Sequence, residues 1–128
     1  MNEDLMKHGA FGWFELMTTD VEGAKAFYEK LFGWEYETVP MQYGDYTVVK
    51  VDGDAVAGIM DMPEECKGMS PGWDIYITVS DVDAVAQEVT ASGGKILKPV
   101  FPIPGVGKFC VLQDPQGAVM CAMTYEKM

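Results

Sequence analysis

The chain has 128 residues, 48% of them apolar and 12% aromatic, enough for a hydrophobic core within the usual size of one domain. Twenty acidic against nine basic residues give a net charge of −11, which repels phosphate backbones and anionic lipid surfaces and argues against nucleic acid or membrane as partners. The longest apolar stretches, residues 55–60 and 75–79, fall far short of the roughly 20 residues that a membrane-crossing helix needs. The start, Met1-Asn2-Glu3-Asp4, is acidic where a secretion signal would be basic. Cys66, Cys110 and Cys121 are odd in number and form no CxxC pair, so neither a disulfide framework nor a structural zinc site is expected, and a reducing cytoplasm is the expected location.

After a short polar leader, residues 10–17 read as a strand, with Trp13 and Glu15 on one face and Phe14 and Leu16 on the other. Thr19-x-x-Glu22 has the form of a capping box, and Val21, Ala24, Phe27, Tyr28, Leu31 and Phe32 recur at helical spacing up to a glycine stop at Gly33. Extended stretches follow at 34–39, 45–51 and 55–60, broken by the turn signals Tyr43-Gly44-Asp45 and Asp52-Gly53-Asp54. The polar, turn-rich segment 63–72, with Pro63, Glu64, Glu65, Lys67, Gly68 and Pro71, has the composition of a linker.

Residues 73–79 resume as a strand, Ser80-x-x-Asp83 repeats the cap, and Val82, Val85, Ala86 and Val89 form a shorter apolar stripe ending at Ser92-Gly93-Gly94. Strands at 95–100, 108–113 and 118–125 complete the pattern, separated by a long Pro102-x-Pro104-Gly105 loop and by Asp114-Pro115-Gln116-Gly117. Thr18-Thr19-Asp20-Val21 recurs as Val79-Ser80-Asp81-Val82, and Asp81 and Gly94 each stand 61 residues after Asp20 and Gly33. One small unit is used twice. The prediction is an α+β fold, a single domain over 1–128 made of two βαβββ modules at 8–62 and 73–126.

The segments Thr19-Asp20-Val21, Ala26-Phe27-Tyr28-x-x-Leu31-Phe32-Gly33-Trp34, Val79-Ser80-Asp81-Val82 and Asp114-Pro115-Gln116-Gly117 resemble those of the vicinal oxygen chelate superfamily. That superfamily includes glyoxalase I, extradiol dioxygenases and bleomycin-resistance proteins, and the resemblance covers about residues 8 to 126. It implies that the modules pair as a curved mixed sheet around a cleft with helices outside, and that catalytic members hold a divalent metal there. It also implies ligand positions seven residues before the helix-starting Asp, here Trp13 and Asp74, and four after the last turn's glycine, here Cys121. The parallel count from Gly53 gives Ala57.

Trp13 and Ala57 cannot coordinate a metal, and a carboxylate with a thiolate but no histidine suits none of zinc, nickel, iron or manganese. No metal and no other cofactor are therefore expected. The single histidine, His8, falls in the leader and reads as a solvated surface residue.

Alternation places Phe11, Trp13 and Glu15 with Asp74, Tyr76 and Thr78, and with Val119, Cys121 and Met123, at the implied cleft. A ligand site of Trp13, Glu15, Asp74, Tyr76, Cys121 and Met123 is aromatic, sulfur-rich and acidic, which favours a small neutral or cationic organic molecule. The ten methionines add adaptable surface. Glu15 or Asp74 buried beside Trp13 could shuttle a proton with a raised pKa. Cys121 lacks a histidine base and reads as an inert thiol. Three functions follow: a metal-free ligand-binding protein, a divalent-metal-dependent glyoxalase-like lyase or dioxygenase, and an assembly module whose aromatic faces serve dimerisation. A homodimer is the expected assembly, and no catalytic residue is assigned.

Overall fold

A computed structural model describes residues 3–41, 44–66 and 68–126. Its elements are β1 (Phe11–Thr18), α1 (Val21–Phe32), β2 (Glu35–Met41), β3 (Gly44–Val51), β4 (Asp54–Asp61), β5 (Gly72–Thr78), α2 (Val82–Ala91), β6 (Lys95–Ile103), β7 (Gly107–Gln113) and β8 (Val119–Tyr125), with 3₁₀ turns at Glu3–Met6 and Glu64–Cys66. This is the βαβββ order twice, in an α+β fold. Met1 and Asn2 of the leader, Tyr43 of the first turn signal and Lys67 of the linker segment lie outside the described residues. Among the described residues no helix is long and apolar enough to cross a membrane.

Two compact units divide the chain, one of Trp13–Asp74 and the other of the stretch ending at Gly12 together with the residues from Ile75 onward. In the first, the strands lie in the order β2-β3-β4-β1, with β1 parallel to β4 and the other pairs antiparallel. Leu16, Val49, Ala57 and Ile59 project from one sheet face and pack beneath Val21, Ala24 and Tyr28 of α1. The helix starts at Asp20, whose Oδ1 accepts the Gly23 N–H at 2.9 Å. Asp20 is thus the cap in place of the expected Thr19; its carboxylate reaches a free N–H of the first turn and its charge complements the helix dipole. Gly33 ends the helix in the left-handed region at φ 69°, its N–H returning to Glu29 O. The apolar stripe of α1 is wider than the face it packs on: Phe27, Leu31 and Phe32 stay 56–59% exposed.

The second unit repeats the plan as β5-β8-β7-β6, with β5 parallel to β8. Its core is Val79, Val82, Cys110 and Ala122, packed against Val85 and Ala86 of α2. Asp81, in place of the expected Ser80, caps α2 by accepting from Asp83 N and Ala84 N. The Thr124 hydroxyl accepts from Val82 N at 2.8 Å and donates to Val79 O at 2.9 Å, tying helix start to β8. Ser80 serves the leader instead: its N–H donates to His8 Nδ1 at 3.0 Å, so the exposed His8 is hydrogen-bonded rather than merely solvated.

The expected long proline loop is short. β6 continues through Pro102 to Ile103, leaving Pro104 to Val106 as the turn. A proline is tolerated there because β6 is an edge strand whose outer N–H groups need no ladder partner, and Pro99 falls where the register with β7 shifts between Lys98 and Phe101.

Asp81→Ala, which removes the acceptor for two N–H groups of α2, is expected to lower the unfolding free energy by about 1 kcal/mol, and Asp81→Asn by far less. Urea denaturation followed by circular dichroism measures the difference.

Candidate functional site

Each unit has one helix, and a helix covers one face of a four-stranded sheet. In the first unit the opposite face carries Trp13 and Glu15 of β1, Tyr46 of β3 and Gly58 of β4, by alternation from the core residues Leu16, Thr47, Ala57 and Ile59. Glu15 and Val48 flank Gly58 in register from either side. A Cβ at Gly58 would run into the phenol of Tyr46, so the glycine is the space in which that ring lies. From there Tyr46 Oη donates to Glu15 Oε2 at 2.8 Å and accepts from Trp13 Nε1–H at 2.9 Å. Indole, phenol and carboxyl group form one directed chain. Glu15 is only 7% exposed, a burial that an ionised carboxylate tolerates only when hydrogen-bond donors meet it.

Asp74 lies near the start of β5, half-buried, and burial pushes its carboxyl pKa above the ordinary value. Its neighbour Trp73 turns to the helix side, where its Nε1–H donates to Tyr28 Oη at 3.3 Å.

In the second unit the face opposite α2 holds Tyr76, Cys121 and Met123, each 4–5% exposed. Tyr76 pairs with Cys121 and Thr78 with Met123 between β5 and β8. Beyond them lies an aromatic set that sequence reasoning missed: Phe109 stands 6.0 Å from Tyr76 and 6.3 Å from Phe101, with Lys98 Nζ over the Phe101 ring at 4.8 Å and the Phe109 ring at 5.5 Å. Of the other expected residues, Phe11 and Val119 are about half exposed, and the Thr78 hydroxyl is engaged by Leu5 O at 2.6 Å. The thiol of Cys110, on the core side of its unit, is raised in pKa chiefly by burial.

The register corrects one ligand position. Glu15 pairs with Gly58 as Tyr76 pairs with Cys121, so the counterpart of Cys121 in the first unit is Gly58, while Ala57 faces the core under α1. A bulge causes the slip: Val49 pairs with Ala57 and Lys50 with Ala55, so Val56 is an extra residue on β4. The donor set becomes Trp13, Gly58, Asp74 and Cys121, of which only the last two have a lone pair to give. Among the described residues no group of three or more His, Cys, Asp and Glu is placed to hold a metal ion. These residues do not fit the divalent metal that the resemblance implies.

A family model described as Glyoxalase/Bleomycin resistance protein/Dioxygenase superfamily matches residues 10–121. A Mycobacterium tuberculosis protein, provisionally named glyoxylase CFP32, is 41% identical over 117 residues, which cover 89% of this chain and 45% of that protein. The anthracycline biosynthesis protein DauV of a Streptomyces species is 32% identical over 123 residues, covering 86% of this chain and 45% of its own. The chain thus spans about half the length of these two relatives. A solved structure of Streptomyces coelicolor methylmalonyl-CoA epimerase, in complex with 2-nitronate-propionyl-CoA, has a TM-score of 0.70 at 17% identity and covers 95% of this chain and 98% of that one; at that identity the likeness is one of fold.

Tyr46→Phe deletes the bond to Glu15 and the acceptor for Trp13, and is expected to cost about 1–3 kcal/mol in chemical denaturation. For Asp74 the folded carboxyl titrates above its unfolded value, so its ionisation at neutral pH costs stability that returns as pH falls. Asp74→Asn is therefore expected to raise the melting temperature at pH 7, with the gap to wild type closing as pH falls through the raised folded pKa and gone once pH is below the unfolded value of about 4. Calorimetric melts across that range check the sign.

Proposed function

The chain belongs to the Glyoxalase/Bleomycin resistance protein/Dioxygenase superfamily, and we propose that within it this protein binds a small neutral or cationic organic molecule without the aid of a metal. The observation that carries this reading is the Tyr46 phenol lying over Gly58 and bonded to the buried Glu15. At a register position where a metal-dependent member would aim a donor side chain, this chain has none, and a neutral O–H meets the carboxylate instead. Trp13 and Glu15 on the helix-free face of the first unit, and Asp74 near the start of β5, are the proposed polar and aromatic anchors. On the corresponding face of the second unit, Tyr76, Cys121 and Met123 are the proposed apolar contacts.

Aromatic walls with a few fixed polar groups are the usual form of a small-molecule site, and carboxylates among rings favour a cation or a donor-rich ligand. A relative named for anthracycline biosynthesis supports an aromatic ligand. We place the protein in the cytoplasm as a homodimer. Its free cysteines support the location, and relatives about twice its length support the pairing of two copies. Light scattering coupled to gel filtration tests the assembly.

Isothermal titration with a panel of neutral and cationic aromatic compounds tests the binding. Affinity is expected to survive dialysis against chelator within about twofold, and Trp13→Ala to weaken it about tenfold or more, since an aromatic anchor in a site contributes at least about 1.4 kcal/mol. A stoichiometric transition metal in protein purified without chelator or affinity tag, together with metal-dependent turnover, would overturn the reading in favour of a glyoxalase-like lyase or a dioxygenase. Uniform absence of binding would overturn it in favour of a dimerisation module.

A further inference from the structure

On the helix-bearing side of the first unit, away from the face just described, a recess of about 330 Å³ opens between the start of α1 and the start of β5. Phe27, Tyr28 and Trp73 form its aromatic walls, Pro71 and Ala24 line it, and Asp20 is the one acidic side chain among the described residues that line it. The helix itself makes the hollow: Ala24, one turn after Asp20, is too small to fill the space that Phe27 and Tyr28 border a turn further on.

The rings are set as walls rather than as a stack. Phe27 meets Tyr28 at 5.2 Å and 78°, and Tyr28 meets Trp73 at 5.7 Å and 71°. Tyr28 is fixed from behind by stacking on Trp34 at 5.3 Å and by accepting the Trp73 Nε1–H. Phe27 is 59% exposed and Trp73 39%, an unusual outlay of aromatic surface for a protein with this much charge.

Charge decides what such a recess takes. Among the described residues no lysine or arginine lines it, and the nearby Lys25 is paired with Glu22 at 3.4 Å. The dipole of α1 contributes roughly half a positive charge at its first turn, which the full negative charge of Asp20 outweighs. Asp20 Oδ1 accepts from Gly23 N, and a carboxylate oxygen accepts more than one bond. Aromatic rings and a carboxylate lining one recess, on a chain of net charge −11, supply the recognition chemistry of a methylated ammonium group.

We propose that this recess binds a small organic ammonium ion, its N-methyl groups against Phe27, Tyr28 and Trp73 and its charge toward Asp20. The site is distinct from the Trp13–Tyr46–Glu15 chain and does not depend on the function proposed for it. Choline and its uncharged isostere 3,3-dimethylbutan-1-ol are the probes, followed by tryptophan fluorescence and by the proton shift of the N-methyl groups. Choline is expected to bind saturably with an upfield N-methyl shift, and the alcohol to bind at least about tenfold more weakly. Asp20→Asn keeps a good helix cap, so its melting temperature should stay near wild type while choline affinity falls about tenfold. Trp73→Phe should weaken choline severalfold, and Tyr46→Phe should leave it unchanged. Equal affinity for the alcohol, no saturable response, or a loss in Tyr46→Phe without one in Asp20→Asn would each overturn the proposal.

Discussion

A phenol laid across a glycine organises the helix-free face of the first unit. Gly58 sits in the middle of β4, where a glycine ordinarily weakens a strand because it offers no side chain to pack. Here the missing Cβ is what admits Tyr46, whose ring spans from β3 across β4 to reach Glu15 on β1. The bond supplies a donor to a carboxylate buried to 7% exposure and an acceptor to the Trp13 indole. An unpaired buried polar group costs about 1–3 kcal/mol, so the arrangement offsets the packing lost at the glycine. Three side chains that alternation alone would leave side by side become one rigid constellation.

The two units share a backbone plan but spend this face differently. The residues matched at an offset of 61 are Trp13 with Asp74 and Glu15 with Tyr76, so the order of aromatic and acid is reversed between the copies. In the first unit the acid is the deeper member and is satisfied by a phenol. In the second unit the aromatic is the deeper member; it pairs with Cys121 and continues into Phe109 and Phe101. Asp74, lacking a comparable donor chain, carries the cost of its burial as a raised pKa.

Much of the fold was legible because its signals are local. The recurrence of Asp20-Val21 and Asp81-Val82, the glycine stop at Gly33 and the alternation around Trp13 and Glu15 each depend on a few neighbouring residues, and β1, α1 and α2 lie where those signals put them. The caps were read one residue early, because Thr19 and Ser80 match the capping box on pattern while the carboxylates beside them are nearer the free N–H groups. Ala57 was mistaken for a site position because a bulge adds Val56 to β4, and counting along the sequence cannot see an unpaired residue. Tyr46, Phe101 and Phe109 were missed because their roles are set by cross-strand register; the one local hint was a glycine inside the apolar run of β4.

Stabilising negative charge on a bound oxygen takes positive charge delivered to it. A divalent ion delivers it in full and can stabilise a developing oxyanion. A tyrosine hydroxyl delivers only the positive end of an O–H dipole, and in this chain that hydroxyl is already donated to Glu15. Glu15 in turn spends one oxygen on Tyr46, so the pair has less left to contribute to a reaction than either residue alone. What remains supports the proposed recognition of a ligand: rings and a carboxyl group whose positions are set by their hydrogen bonds. That balance, with preorganised groups and little electrophilic power, is the physical argument behind the proposal of recognition at the helix-free face of the first unit.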